Sequence, residues 1–177
     1  MNTNYQNALD YLYSFVDYSL KHAAELAKAE FNLDRMRALM SLLGDPQNDY
    51  PIIHIAGSKG KGSTAAFTAS ALRAADYKVG LYTSPHLQDF TERMQNNGVP
   101  IPQAAFAALV DEIKPAVEQV PYITTFELTT ALAFLYFSRQ KVGVAVIEVG
   151  LGGRLDATNI VTPLVSAICS SVTTLRA

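Results

Sequence analysis

The sequence predicts an α/β fold in which a mostly parallel sheet, flanked by helices, carries a phosphate-binding loop. Three observations carry that reading. Short apolar runs alternate with longer helical patterns along the chain, the order that strand–helix–strand units impose. Those runs are apolar at nearly every position, as strands covered on both faces are. The first run is followed at once by Gly57-Ser58-Lys59-Gly60-Lys61-Gly62-Ser63-Thr64, and a glycine-rich turn between strand and helix is where a phosphate loop works.

The elements follow in order. Apolar residues at Leu9, Leu12, Val16 and Leu20 predict a helix over residues 4–21. Asn32 reads as the cap of a second helix that runs to Leu43, with Gly44 and Pro46 stopping it. Residues 51–55 read as a short buried strand, and alanine-rich residues 65–75, with Phe67 and Leu72, as a helix packing through small side chains. Residues 78–82 form a second strand that ends at Thr83-Ser84-Pro85-His86, where proline forbids simple continuation. Asn96, Asn97 and Gly98 mark a turn between short extended pieces within residues 88–102. Residues 103–118 read as a helix with a bend at Pro115, and 126–140 as a helix apolar on nearly every face, buried beside the sheet. Residues 142–149 and 163–169 read as further buried strands.

The chain has 177 residues, an ordinary size for one domain, and a net charge of −2 gives no global field for gathering nucleic acid. A hydrophobic content of 49% against 17% charged residues excludes a disordered chain. Cys169 is the sole cysteine, which excludes an internal disulfide and fits a reducing compartment such as the cytoplasm. The first residues lack the basic and apolar regions of a signal peptide, and no apolar run reaches membrane-spanning length.

The loop at 57–64 has two readings, a flexible turn or a backbone cradle for an anion. Two lysines and two hydroxyls entering a first helical turn favour the cradle, because the helix dipole disfavours cations there. In that reading Lys61 meets the terminal phosphates and a following hydroxyl touches magnesium. The general pattern G-x-x-x-x-G-K-[ST] is not met, since it would need glycine at Ile55; the loop is shorter and carries Gly62 after the lysine. Glu148, near the end of a buried run, is costly unless it is paired with Arg154 or bound to a metal. Ser84 sits at a strand end, where its hydroxyl faces a nucleotide edge or merely begins a turn. In Gly150–Asn159, Arg154 and Asp156 fix either a ligand or their own loop through an internal pair. His86 reads as a ligand or base, or as an ordinary hydrogen-bonded turn residue. His22 and His54 find no partner by spacing, and no histidine–cysteine cluster points to zinc.

Four stretches, HIAGSKGKGST, GLYTSPHLQDFTERMQNNGVPI, TTFELTTALAFLYF and VAVIEVGLGGRLDATNIV, together resemble the amino-terminal part of folylpolyglutamate synthases. This group includes the dihydrofolate synthases and belongs to the Mur ligase superfamily, and the resemblance runs from about Tyr5 to about Ala167. It implies a Mur-ligase-like central ATPase domain and an ATP-dependent amide ligase. A folate or dihydropteroate carboxylate is phosphorylated by Mg-ATP, and the acyl phosphate is attacked by the amine of L-glutamate. It further implies ATP contacts at Gly57, Ser58, Lys59, Gly60, Lys61, Gly62, Ser63 and Thr64, with Lys61 the catalytic lysine. Ser84 and Glu148 match positions that hold Mg2+, and Thr83, Pro85, His86, Thr124, Thr125 and Phe126, with the segment 32–35, match places that meet the pterin-bearing substrate. No nucleic-acid or membrane partner is implied, and full-length members of this type are expected to be monomers.

The sequence departs from the family in two places. Ser58 and Lys59 replace the more usual threonine and asparagine, a lysine that related Mur-type ligases also use. Beyond the strand at 164–170 the family continues with an aspartate–histidine pair, a modified lysine and a carboxy-terminal glutamate-ligase domain, none of which SVTTLRA matches. Residues 1–177 are therefore expected to be an incomplete ATP-binding domain without ligase turnover by itself. An unfinished sheet is expected to expose apolar surface on the helix 126–140 and the strand 163–169, favouring self-association. A non-catalytic ATP- or folate-binding module is the alternative; an unrelated P-loop kinase would leave the TSPH and EVGLGGRLDATN matches without explanation.

Overall fold

A computed structural model describes residues 3–15 and 32–170. Five helices lie within them: α1 (Thr3–Tyr13), α2 (Asp34–Leu42), α3 (Lys61–Ala74), α4 (Gln103–Val117) and α5 (Thr125–Gln140). Six strands form one sheet: β1 (Ile52–Ala56), β2 (Val79–Tyr82), β3 (Met94–Asn96), β4 (Val99–Pro100), β5 (Val144–Glu148) and β6 (Val165–Ile168). The part of the expected first helix holding Val16 and Leu20, together with His22 and the SVTTLRA end, lies outside the described residues.

The sheet order is β4-β3-β2-β5-β1-β6. The pairs β2–β5, β5–β1 and β1–β6 are parallel, and β3 and β4 add an antiparallel hairpin at one edge. That hairpin turns at Asn97 and Gly98, both with positive φ, where the asparagine–glycine signal placed a turn.

Strand alternation divides the core. Ile55, Val79, Leu81, Val144 and Val146 face α3, which meets them through Ala65 and Ala69. Ile52, Tyr82, Ala145 and Ile147 face the other way, under α1, α2, α4 and α5. Small residues do pack α3 as expected, but Phe67 points outward and is 76% exposed. At Gly80 a Cβ would stand 2.8 Å from the Phe137 ring, so its absence lets α5 settle on β2. The N-cap of α2 is Leu33, without a side-chain cap bond, and not Asn32; Asn32 stands one residue earlier, where its side chain accepts the Asp34 amide at 3.1 Å. The chain leaves α2 through Gly44 at φ +82°. Helix α4 runs on through Pro115.

Helix α5 is buried beside the sheet as its apolar pattern predicts, with residues from Leu128 to Phe137 all buried, so the apolar surface expected on it from an unfinished sheet is not there. Strand β6 is not the buried strand its apolar run suggests; it carries the exposed apolar surface expected of an unfinished sheet, with Val165 50% and Ile168 72% exposed. An apolar run marks strand propensity equally well at a centre or an edge, and β6 lies outermost in the sheet.

Candidate functional site

The parallel strands β1, β2 and β5 end side by side, with Ile55 opposite Glu148 and Tyr82 opposite Ile147. Open α/β sheets hold their ligands at this carboxyl edge. The loop from Gly57 to Gly60 leaves β1 there, with Gly57 at φ +148° and Gly60 at φ +79°, conformations that side chains resist. Gly60 precedes α3, whose first residue is Lys61. The helix thus starts four residues before Ala65, where composition had placed it, because the glycine-rich stretch itself supplies the first turn.

Lys61 and Glu148 meet across the site, with Nζ 3.9 Å from Oε1. Glu148 Oε2 accepts the Ser84 amide at 3.0 Å. The carboxylate is nearly enclosed; burial raises its pKa above the ordinary carboxylate value, and the Ser84 amide and Lys61 oppose that rise only in part. Gly62 explains how a carboxylate fits there: a Cβ on it would lie 3.2 Å from Oε1 and 3.3 Å from Oε2. The glycine after the lysine is therefore space for Glu148. The alternative pairing with Arg154 is not formed; Lys61 takes that place.

Beyond Glu148 the loop is fixed by Asp156, though not through Arg154. Asp156 Oδ2 accepts the Leu151 amide at 2.7 Å, and Oδ1 accepts the Thr158 amide at 3.0 Å and the Thr158 hydroxyl at 2.5 Å. Thr158 Oγ1 also lies 2.8 Å from His54 Nε2. With the single hydroxyl proton given to Asp156, Nε2 of His54 is the donor. Burial lowers the His54 pKa, with Asp156 opposing. No spacing rule links His54 to residues 104 positions away, and only the sheet brings them together.

The Thr83–His86 turn is held from its far side. Glu92 accepts the amides of Leu87 at 2.8 Å and Asp89 at 3.1 Å, and Asp89 in turn accepts the Tyr5 hydroxyl at 3.0 Å. His86 is engaged: Arg93 Nε donates to its Nδ1 at 3.0 Å, and both pack on Phe90. At the start of α5, Thr124 and Glu127 form a reciprocal capping box. Glu127 also meets Arg35 Nε at 3.2 Å, which brings the 32–35 segment to residues 124–126. The Thr125 hydroxyl lies 3.1 Å from each of the Leu12 and Phe15 carbonyls, a tie to the end of α1. Phe126 fills the space where Gly150 lacks a side chain.

Lys61, Gly62, Ser84 and Glu148 thus converge, and Phe126 approaches the same rim through Gly150. Sequence reasoning passed over Glu127, although T-x-x-E ahead of an apolar run is a capping signature. Arg93 and Glu92 carried no signal of their own. Among the described residues no three of His, Cys, Asp and Glu gather as a metal site. A cation here would rest on one carboxylate, hydroxyls and a ligand's own oxygens, a donor set that Mg2+ accepts with nucleotides. A surface hollow of about 600 Å³ lined by Arg73, Asp76, Tyr77 and Asn97 lies at the opposite ends of the strands. Among the described residues no helix is long and apolar enough to cross a membrane.

No protein-family model matches the chain. It is 42% identical over 176 residues to the dihydrofolate synthase/folylpolyglutamate synthase of Bacillus subtilis, matching 96% of this chain and 39% of that protein. Among solved structures, the folylpolyglutamate synthase of Thermotoga maritima superposes with a TM-score of 0.84 at 39% identity, over 94% of this chain and 38% of the other. A complex of FPGS with AMPPCP and folate gives the same TM-score of 0.84 at 40% identity, over 94% and 40%. The chain therefore spans about two fifths of the length of the relatives it matches.

Proposed function

Because the chain belongs to the folylpolyglutamate synthase and dihydrofolate synthase family, we propose that it forms the nucleotide- and folate-facing portion of an ATP-dependent amide ligase. The observation that carries the reading is the convergence of Lys61, Gly62, Ser84 and Glu148 at one strand edge. In the proposed reaction a carboxylate oxygen of a folate or dihydropteroate attacks the terminal phosphorus of ATP, and ADP leaves. The amine of L-glutamate then attacks the acyl carbon, forming the amide and releasing phosphate and a proton.

This chain's part is to bind and orient. The first-turn amides of α3 and the Lys61 ammonium offset phosphate charge where it accumulates. Glu148 and Ser84 are the residues that would hold Mg2+, whose chemistry is to neutralise charge on the transferred phosphoryl group. The Thr83–His86 turn, Thr124 and Phe126 are assigned to the pterin-bearing substrate, with Arg35 and Glu127 fixing the wall behind them. Named relatives solved with AMPPCP and with folate support the two ligand classes. A location in the cytoplasm, a reducing compartment, is consistent with the free Cys169.

Calorimetry with Mg-ATP tests the reading: the chain takes up nucleotide, and Lys61→Ala abolishes the heat. Absence of heat from the wild-type chain would refute the nucleotide site. Nucleotide uptake without glutamate- and folate-dependent hydrolysis would make this chain a binding module of the ligase and leave turnover to the whole protein.

A further inference from the structure

The phosphate loop is anchored a second time, outside the strand and helix it joins. Cys169 and Ser170 follow β6 and run alongside the loop, with the Cys169 amide donating to the Ala56 carbonyl at 2.9 Å. The Ser170 carbonyl accepts the Ser58 amide at 2.7 Å. The Ser170 hydroxyl accepts the Lys59 amide at 3.2 Å and returns its proton to the Lys59 carbonyl at 3.3 Å. The approach is close because Gly57 has no side chain: a Cβ there would stand 3.2 Å from the Cys169 Cβ and from the Ser170 nitrogen.

We propose that Ser170 is a positioning residue for nucleotide binding, holding the amides of Ser58 and Lys59 so that the phosphates fall to the amides of Gly60, Lys61, Gly62 and Ser63. The inference rests on the nucleotide site proposed above and narrows it. An α-helix leaves its first four amides without internal acceptors. In α3 the first intrahelical bond runs from the Thr64 amide to the Gly60 carbonyl at 2.9 Å, so the four unclaimed amides begin at Gly60. The two amides before them already have acceptors in β6's extension. Ser170 touches no ligand in this arrangement. It fixes the glycine turn in advance, so binding does not have to order it.

The experiment compares Ser170→Ala and Ser170→Thr with the wild-type chain, reading Mg-ATP affinity by calorimetry, thermal midpoint, and residue-resolved amide exchange. Loss of a neutral hydrogen bond that presets the loop should weaken Mg-ATP about fivefold in Ser170→Ala. Ser170→Thr, which keeps the hydroxyl, should bind as the wild type does, and the midpoint should move little in either. Exchange should show Ser58 and Lys59 protected before nucleotide is added, and Gly60 to Ser63 gaining protection after it. Unchanged affinity in Ser170→Ala, or failure of threonine to rescue, overturns the inference while leaving the nucleotide site standing. Protection gained at Ser58 and Lys59 on binding does the same. A wild-type chain that takes up no Mg-ATP overturns the site itself and this inference with it.

Discussion

Replacing Gly62 by alanine sets two effects of known size against each other. Alanine is favoured over glycine in a helix by about 1 kcal/mol, so α3 should gain. Against that, the new Cβ would lie 3.2 Å and 3.3 Å from the two Glu148 oxygens, tighter than ordinary contact. The carboxylate must withdraw by a few tenths of an ångström, which lengthens its 3.0 Å bond from the Ser84 amide. A hydrogen bond to a charged group contributes about 1.5–3 kcal/mol, and part of it is lost. The two effects leave net stability within about 1 kcal/mol of wild type, a midpoint shift of about 2–4 °C. Nucleotide affinity has no such compensation, because displacing a residue that supports a metal site costs about tenfold or more. Thermal unfolding and Mg-ATP calorimetry on the same samples separate the two quantities. In a Glu148→Ala background, where the crowded atoms are gone, Gly62→Ala should raise stability by up to about 1 kcal/mol. Equal destabilisation in both backgrounds, or unchanged nucleotide affinity in the single variant, would refute the steric account.

The remaining predictions concern packing, pH and association. Gly150→Ala would place a Cβ 2.3 Å from the Phe126 ring and 3.0 Å from an Asp156 oxygen, and chemical denaturation should show a loss of about 2–3 kcal/mol. Burial lowers the folded-state pKa of His54 from 6.5, so the unfolded chain binds the extra proton first. Stability should therefore fall as pH drops through about 6.5 toward the lowered value, and thermal midpoints of His54→Gln should show a flatter profile over that window. The uncharged outer strand, with Leu164 and Ile168 exposed, should drive concentration-dependent association in light scattering, and Ile168→Lys should suppress it. A monodisperse wild-type monomer would count against that expectation.

What the sequence could reveal was set by how local each cause is. The glycine-rich loop between β1 and α3 and the turn at Asn97-Gly98 are each determined within a few residues. The alternation of apolar runs gave the parallel sheet for the same reason. Glu148 was recognisable because a carboxylate in an apolar run needs a partner, but the choice of Lys61 over Arg154 depends on β1 lying beside β5. The hydroxyl of Thr125 could not be assigned from sequence, since its acceptors at Leu12 and Phe15 lie more than 100 positions away. For a related reason the apolar runs left both α5 and β6 open to two readings, buried or exposed. Apolar content fixes what a segment can bury, whereas position in the layer order fixes what it does bury.

The contact between Phe126 and Gly150 makes the two positions one unit of inheritance. A ring at one occupies the volume a methyl would need at the other, so neither can change freely while its partner stays the same. A larger residue at 150 becomes tolerable only with a smaller one at 126, and the reverse order of events passes through a cavity instead of a clash. Divergence at this rim is thus expected to proceed by shrinking the ring before filling the glycine. Because Phe126 lies in the first turn of α5 and Gly150 two residues past Glu148, any such exchange would alter the wall proposed to face folate and the strand end together.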